Sequence, residues 1–264
     1  MIDANVSVLG CGWMGCPLAN ALVDRGGIDP YLLTLEPDLS GERVSDFFAS
    51  EILVLNVPPP RGADDVRERH RRQIDAVRTA AAEGAVEWVL FASSTGVYPN
   101  VERTVTEADQ PPGQPDALPG RRRSTGRAVL HAEARLMSDD AFAATVVRFG
   151  GLYGGDRHPG RFLTGRTDVG RPEAPVNLIH REDCVAVLRT LLEQQVHGEV
   201  FNACADAHPP RRAVYTRAAE VLGLDPPTFD DTDSTTGKTV DNQKLKTMCG
   251  YQFHHPDPLA DLED

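Results

Sequence analysis

Short apolar segments alternate with longer amphipathic segments through the first two-thirds of the chain. The runs NVSVLG, YLLTLE, EILVLNV, VEWVLFA and AATVVRF have the length and the β-branched content of buried strands. Between them, residues 63–83, RSTGRAVLHAEARLM and DCVAVLRTLLEQ repeat apolar residues with helical spacing. Strands that alternate with helices in this way predict an α/β fold built on a doubly wound parallel sheet.

Two polar stretches and the C-terminal region depart from this alternation. Residues 99–123 are rich in proline, and residues 154–175 are rich in glycine, proline and arginine, so we expect two long loops there. From about residue 205 the strand and helix pattern weakens. We therefore predict a main domain over residues 1–170, with residues 175–205 contributing to the same sheet, and a small C-terminal α+β lobe over residues 206–264.

A glycine-rich turn follows the first predicted strand. Gly10, Gly12 and Gly15 form a G-x-G-x-x-G pattern between that strand and the next helix. In this setting the first glycine permits a tight turn, the second lets a diphosphate approach the backbone, and the third lets the helix pack close to the strand. The helix N-terminus offers N–H groups to phosphates. The pattern predicts a Rossmann-like dinucleotide site that includes Trp13 and Met14, and it makes residues 206–264 the expected substrate lobe.

The ends of the second and third predicted strands supply further candidates for this site. Glu36 closes the second strand, where the fingerprint expects an acidic residue that binds the ribose hydroxyls. No arginine follows it directly, which favours NAD over NADP; a surface role for Glu36 stays open. Asn56 and Pro58 come directly after the third strand, and ligand crevices lie outside the carboxyl ends of parallel strands. We therefore expect both residues to line the cofactor site.

The composition limits the partners that the protein can have. The 264 residues carry a formal net charge of −12, which disfavours binding to the phosphate backbone of nucleic acids. The five cysteines are scattered without C-x-x-C spacing, as in a reducing compartment. No segment has the length of a membrane span or the pattern of a signal peptide. We expect a cytoplasmic protein with a small-molecule substrate and no metal, nucleic acid or membrane partner, and we allow for a homodimer.

Several motifs in shared order carry a family resemblance. FASSTGVYPN, VVRFGGLYGGDR, VNLIHREDCVAVL and GEVFNACAD resemble segments of the extended short-chain dehydrogenase/reductases, the NAD-dependent epimerase/dehydratase family. CGWMGCPLA together with NVPPP resembles an atypical branch of it. The resemblance spans nearly the whole chain. It implies a nicotinamide cofactor and the oxidation, reduction or epimerisation of a carbonyl or hydroxyl on a small metabolite, with nucleotide sugars among the candidates.

The chain departs from that family at its catalytic tyrosine and lysine. Counted back from Glu133, the two positions fall on Thr125 and Val129, and no lysine precedes Lys238. In the family the lysine lowers the pKa of the tyrosine, whose phenol ordinarily titrates near pH 10. The standard Tyr-x-x-x-Lys pair is therefore absent from this sequence.

Other residues near the fourth strand are candidates for the role of the absent tyrosine and lysine. By resemblance, Ser94 matches the serine that holds the substrate oxygen, and Thr95 can replace it if the turn is shifted. Tyr98 is the nearest phenol, and Arg123 and Arg127 have the i, i+4 spacing of one helix face, suited to an anionic substrate. Three interpretations stay open: Tyr98 supplies the proton, water or substrate supplies it while Ser94 and Thr95 orient a carbonyl, or the protein is a dinucleotide sensor or scaffold without turnover.

A few other polar residues are interpreted as structural. His70 lies on the apolar stripe of its helix and is expected to pack or cap there, and Arg148 is expected to pair with a carboxylate. His180 and Asp183 resemble the family's helix entry, where Asp183 can cap the helix. The adjacent residues 254 and 255 are both histidines, whose side chains diverge in a strand and make poor joint metal ligands.

Overall fold

A computed structural model of the protein describes residues 4–23, 32–33, 42–60, 65–109 and 122–262, with the backbone alone for 32–33, 42–43 and 122–124. Its strands are β1 (Val6–Leu9), β2 (Leu32–Leu33), β3 (Ile52–Leu55), β4 (Trp88–Ser94), β5 (Thr104–Val105), β6 (Ala143–Phe149), β7 (Gly151–Tyr153), β8 (Leu178–His180), β9 (Val200–Ala203) and β10 (Thr239–Val240). Its helices are α1 (Gly15–Val23), α2 (Glu42–Phe47), α3 (Val66–Glu83), α4 (Arg122–Met137), α5 (Gly160–Leu163), α6 (Arg181–Gln194), α7 (Arg211–Val221) and α8 (Gln243–Cys249).

The described strands of the main sheet follow the order β2-β1-β3-β4-β6-β9. β1 pairs in parallel with β2 on one side and with β3 on the other, and β3 pairs in parallel with β4. Every residue of β1 and β3 is buried, which explains why both strands appear in the sequence as nearly continuous apolar runs. The predicted α/β fold with a parallel sheet is confirmed.

The strand order places a topological switch point at β1. After β1 the chain continues to β2 on one side of it, and it later crosses to β3 on the other side. At such a point the connections leave the sheet in opposite directions, and a crevice opens outside the carboxyl ends of the two central strands. The segments that come after β1 and β3 begin with Gly10 and Asn56.

The chain divides into two compact units. The first comprises Met1–Pro99, Gln110–Arg148 and Val185–Phe201, and the second comprises Asn100–Asp109, Phe149–Cys184 and Asn202–Asp264. The sequence pattern predicts a lobe over residues 206–264; the second unit also takes in two earlier segments. They belong to it because β5 pairs with β10, and because bridges join Val169 to Phe229 and Pro175 to Pro210. Its core includes Tyr153, Val176, Leu178, Val214, Ala218 and Leu262.

Among the described residues, none of the helices is both long enough and apolar enough to cross a bilayer.

Candidate functional site

The three glycines after β1 differ in whether the surrounding structure leaves room for a side chain. Gly10 has a φ of +97°, and a Cβ built on it would lie 2.1 Å from the carbonyl oxygen of Asn56. A Cβ on Gly15 would lie 2.4 Å from the carbonyl oxygen of Gly10. A Cβ on Gly12 would have no atom within 4 Å. Packing therefore excludes a side chain at Gly10 and Gly15, whereas the backbone of Gly12 faces open space.

Asn56 holds this glycine loop from the neighbouring strand. Its backbone N–H donates to the carbonyl of Leu9 at 2.8 Å, and its Nδ2 donates to the carbonyl of Gly10 at 3.0 Å. The N–H of Gly12 donates to the same Gly10 carbonyl at 2.8 Å. These contacts fix the shape of the loop, and the role of Asn56 in lining a cofactor site stays a prediction. Pro58 is exposed two residues further on.

Helix α1 begins directly at the glycine loop. The first helical bond within this turn runs from the N–H of Cys16 to the carbonyl of Gly12 at 3.1 Å. The first N–H groups of a helix have no intrahelical acceptor and point towards its N-terminal end. Open space at Gly12 beside such an end fits the diphosphate of a dinucleotide, because a phosphate can approach the backbone closely and receive its hydrogen bonds.

The other predicted cofactor residues differ in what they offer this site. Met14 is 3% exposed, so its side chain belongs to the core and it can contribute its backbone only. Trp13 is half-buried. Glu36 lies outside the described residues. Burial, with the neighbouring Cys16 thiol as a second cause, raises the pKa of Cys11 to about 11, so this residue is an uncharged thiol beside the loop.

The end of β4 brings together the three predicted catalytic residues. Ser94 Oγ accepts a hydrogen bond from the N–H of Gly96 at 3.1 Å and so caps the short 3-10 turn Thr95–Val97. Thr95 is 7% exposed and Tyr98 only 3% exposed. Ser94 is half-buried, and of the three it has the most accessible side chain.

Tyr98 belongs to a buried network that the sequence did not reveal. Arg148 Nη1 donates to the Tyr98 hydroxyl at 3.0 Å, and the guanidinium carbon lies 5.1 Å from the centre of the phenol ring. Arg148 also binds Glu133 through two hydrogen bonds, Nε to Oε1 at 3.0 Å and Nη2 to Oε2 at 2.6 Å. Both side chains are fully buried. Ser93 Oγ donates to the same Glu133 carboxylate.

The charges of this network compensate each other inside the core. Burial disfavours the charged form of Arg148, but the hydrogen bonds and charge of Glu133, with a smaller contribution from Tyr98, outweigh it and raise the pKa of the guanidinium. The expectation that Arg148 pairs with a carboxylate is confirmed. The network fixes Tyr98 in place, and Tyr98 closes the turn that carries Ser94 and Thr95.

His70 connects helix α3 with the turn after β3. It is fully buried, and its Nε2 lies 3.2 Å from the carbonyl oxygen of Val57, so this nitrogen carries the proton. Burial lowers the pKa of His70, although backbone hydrogen bonds to Val57 and Ala128 oppose this effect. The interpretation of His70 as a packed, structural histidine is confirmed.

The predicted substrate arginines lie on helix α4. Arg127 is half-buried, and the side chain of Arg123 lies outside the described part of the chain. Helix α4 packs against β4 and against the turn Thr95–Val97. Val129, which the sequence resemblance places at the position of the family's lysine, is 6% exposed and packs in the core.

Known proteins resemble this chain over nearly its whole length. No protein-family model matches it. Protein YeeZ from Escherichia coli is 32% identical over 278 aligned positions, which cover 97% of each chain. A functionally unknown conserved protein from Silicibacter pomeroyi has 26% identity and a TM-score of 0.71, with 99% of this chain and 97% of that chain covered.

Two structures of lower identity show the fold. A short-chain dehydrogenase/reductase superfamily protein from Agrobacterium tumefaciens with bound NAD has a TM-score of 0.74 at 19% identity, covering 98% of this chain and 95% of that one. MoeE5 in complex with UDP-glucose and NAD has a TM-score of 0.73 at 17% identity, covering 98% and 97%. The predicted Rossmann-like fold is thereby confirmed. The chain belongs to the family of the Escherichia coli protein YeeZ, and it has the fold of the short-chain dehydrogenase/reductases.

Proposed function

We propose that this chain binds a nicotinamide dinucleotide, with NAD preferred to NADP, on the loop Gly10–Gly15. The observation that carries the proposal is the open space at Gly12, at the start of α1 and at the switch point of the sheet. Two proteins of the same fold, from Agrobacterium tumefaciens and MoeE5, have NAD bound in their structures. The preference for NAD rests on Glu36 as the ribose-binding residue.

We further propose an oxidoreductase or epimerase activity on a carbonyl or hydroxyl of a small metabolite. A bound nicotinamide would supply hydride exchange with the substrate carbon. Ser94 would hold the substrate oxygen from the end of β4, with Thr95 beside it, and Arg123 and Arg127 would hold an anionic group of the substrate. UDP-sugars are the first substrates to test, because MoeE5 has this fold and its structure contains UDP-glucose.

The burial of Tyr98 argues against this phenol as the proton donor. This phenol is 3% exposed, and its oxygen accepts a hydrogen bond from Arg148. General acid catalysis requires the group to come within hydrogen-bond reach of the substrate. In this arrangement Tyr98 would position the turn Thr95–Val97, and the proton would come from water or from the substrate itself.

A second candidate function is that of a dinucleotide sensor or scaffold without turnover. The burial of the Tyr98 phenol supports it. So does the sequence resemblance, which places Thr125 and Val129 at the positions of the family's tyrosine and lysine. Both candidate functions require the same cofactor site, and they differ in whether a bound dinucleotide exchanges hydride with a substrate.

The test separates binding from turnover. Titration calorimetry of the full chain with NADH and NADPH measures whether the site binds and which cofactor it prefers. Absorbance of the reduced nicotinamide is then recorded with a panel of carbonyl compounds and UDP-sugars, with product analysis for epimers. Binding with turnover supports the enzyme, and binding with no change across the panel supports the sensor. If the chain binds neither NADH nor NADPH, both candidate functions are refuted.

A further inference from the structure

Two histidines and a glutamate lie together in the second unit, where no sequence motif predicts a site. His180 ends strand β8, Glu182 lies in the first turn of α6, and His255 belongs to the C-terminal segment. One donor atom from each of the three residues can be chosen so that all lie within 4.8 Å of one another. Imidazole nitrogen and carboxylate oxygen are ligands that divalent transition metals accept, zinc above all.

Two of these atoms already have the spacing of ligands around a tetrahedral ion. Ligand atoms bonded at about 2.0–2.1 Å in tetrahedral geometry lie roughly 3.4 Å apart. His255 Nε2 and Glu182 Oε2 are 3.2 Å apart, close to that value. The donor atom of His180 lies within 4.8 Å of both, and its ring, whose centre is 3.7 Å from that of His255, would turn away from His255 to complete the tetrahedron. The Glu182 side chain is 67% exposed, so it can rotate towards an ion and leaves a path from solvent.

The outer contacts of His255 are those that a metal-binding histidine requires. Its Nδ1 lies 3.1 Å from Asp261 Oδ2, and the Tyr153 hydroxyl donates to the same carboxylate. Metal-ligating histidines usually donate their second ring N–H to a carboxylate, which fixes the tautomer and the ring orientation. With Nδ1–H bound to Asp261, Nε2 presents its lone pair on the side of Glu182.

The backbone of the C-terminal segment is fixed independently of these side chains. The buried carboxylate of Asp183 accepts the backbone N–H of His254 at 2.8 Å, the N–H of His255 at 3.0 Å and the Tyr251 hydroxyl at 2.7 Å. The sequence suggested Asp183 as a helix cap; its contacts here hold the segment that carries His255. The position of His255 beside β8 is thus set before any ion binds.

We propose that His180, Glu182 and His255 bind one divalent transition-metal ion of the zinc class, with water as the remaining ligand. The ion would link the end of β8, the start of α6 and the C-terminal segment. The proposal goes beyond the proposed function and does not depend on it, since its residues and its assay are separate from those of the glycine loop. The competing interpretation is an ion pair in which a protonated His255 bridges Glu182 and Asp261.

The test uses the full chain after dialysis against a chelator. Zn²⁺ is titrated by calorimetry, and Co²⁺ is titrated while its visible absorption is recorded, because tetrahedral Co²⁺ with nitrogen and oxygen ligands absorbs strongly. The variants are His255→Ala and Glu182→Gln. His254→Ala is the matched control, since His254 is the adjacent exposed histidine and its contact with Asp183 uses the backbone N–H. Cys16→Ser controls for an exposed thiol in the first unit.

We expect the wild-type chain, His254→Ala and Cys16→Ser to bind about one ion per chain, and the ion to raise their melting temperatures. We expect the affinity of His255→Ala and Glu182→Gln to fall by about tenfold or more, as the loss of a ligand requires. Glu182 is exposed, so Glu182→Gln keeps the test valid if His255→Ala does not fold. Absence of binding by the wild type, equal binding by both ligand variants, or loss of binding in Cys16→Ser would overturn the proposal.

Discussion

Substitution of Gly12 by valine separates binding from folding at the proposed cofactor site. A Cβ at this position meets no atom within 4 Å, and the backbone of Gly12 does not have the positive φ that excludes a side chain. The valine side chain would therefore fit the free protein. It would also fill the space through which a diphosphate approaches the N-terminal end of α1, so we expect Gly12→Val to abolish cofactor binding.

The magnitude can be worked out from the hydrogen bonds that would be lost. A hydrogen bond to a charged group contributes about 1.5–3 kcal/mol, and about 1.4 kcal/mol corresponds to a tenfold change in affinity. Loss of two N–H contacts to phosphate predicts binding weaker by about 100-fold or more. The free energy of unfolding should stay within about 1 kcal/mol of the wild type, because the substitution is exposed and unstrained.

The assay measures the affinity for NADH by calorimetry and the free energy of unfolding by urea titration on the same preparations. Gly15→Ala is the contrasting variant, because its Cβ would lie 2.4 Å from the carbonyl oxygen of Gly10 and should destabilise the fold itself. Unchanged NADH affinity in a folded Gly12→Val chain would refute the assignment of the glycine loop. A large loss of stability in that variant would refute the interpretation of the open space.

Four further predictions concern Glu133 and Tyr98 in the buried network, the buried His70, and the proposed ribose-binding residue Glu36. Glu133→Gln should lower the free energy of unfolding by about 3–5 kcal/mol in urea titration, because it leaves the Arg148 charge uncompensated in the core; a cost under about 1 kcal/mol would contradict a buried pair. Tyr98→Phe should cost about 1–3 kcal/mol through the lost hydrogen bond to Arg148 and leave any turnover near the wild-type rate; an inactive but stable variant would instead identify Tyr98 as the proton donor. The pKa of His70 is lower in the folded chain than its ordinary value of about 6.5, so below pH 6.5 the unfolded chain binds more protons than the folded chain. The free energy of unfolding should therefore fall as the pH drops below about 6.5, by up to about 1.4 kcal/mol per pH unit. His70→Gln should lose this part of the slope in urea titrations at several pH values, and an unchanged slope would contradict a buried neutral His70. Glu36→Arg should shift the ratio of NADH to NADPH affinity towards NADPH, and an unchanged ratio would mean that Glu36 does not contact the ribose.

The parts of the fold that local pattern determines could be predicted from the sequence. β1 and β3 are buried on both faces, so their residues are apolar almost without interruption and the strands stand out. The G-x-G-x-x-G pattern located the loop because glycine at Gly10 and Gly15 is a packing requirement that any sequence with this turn must satisfy.

Contacts between residues far apart in the sequence could not be predicted. Asn56 holds Gly10 across 46 positions, and Arg148 meets Tyr98 across 50. Helical spacing placed Glu133 on a helix, but it carried no sign that this carboxylate is fully buried against Arg148. The hydrogen bonds of the C-terminal segment to Asp183 bring His255 next to His180. No local sequence pattern predicts these bonds. Hydrophobic spacing identifies the residues of one helix or strand. It does not show which polar residue of another element will pair with them in the core.

The most direct test of the proposed cofactor site is the crystal structure of the full chain in complex with NAD. We predict that the diphosphate lies over Gly12, with its oxygens accepting N–H groups from the first turn of α1, and that Gly10 and Asn56 keep their mutual hydrogen bond. NAD bound at any other place on the chain, or a loop in which a side chain fills the space over Gly12, would contradict this prediction.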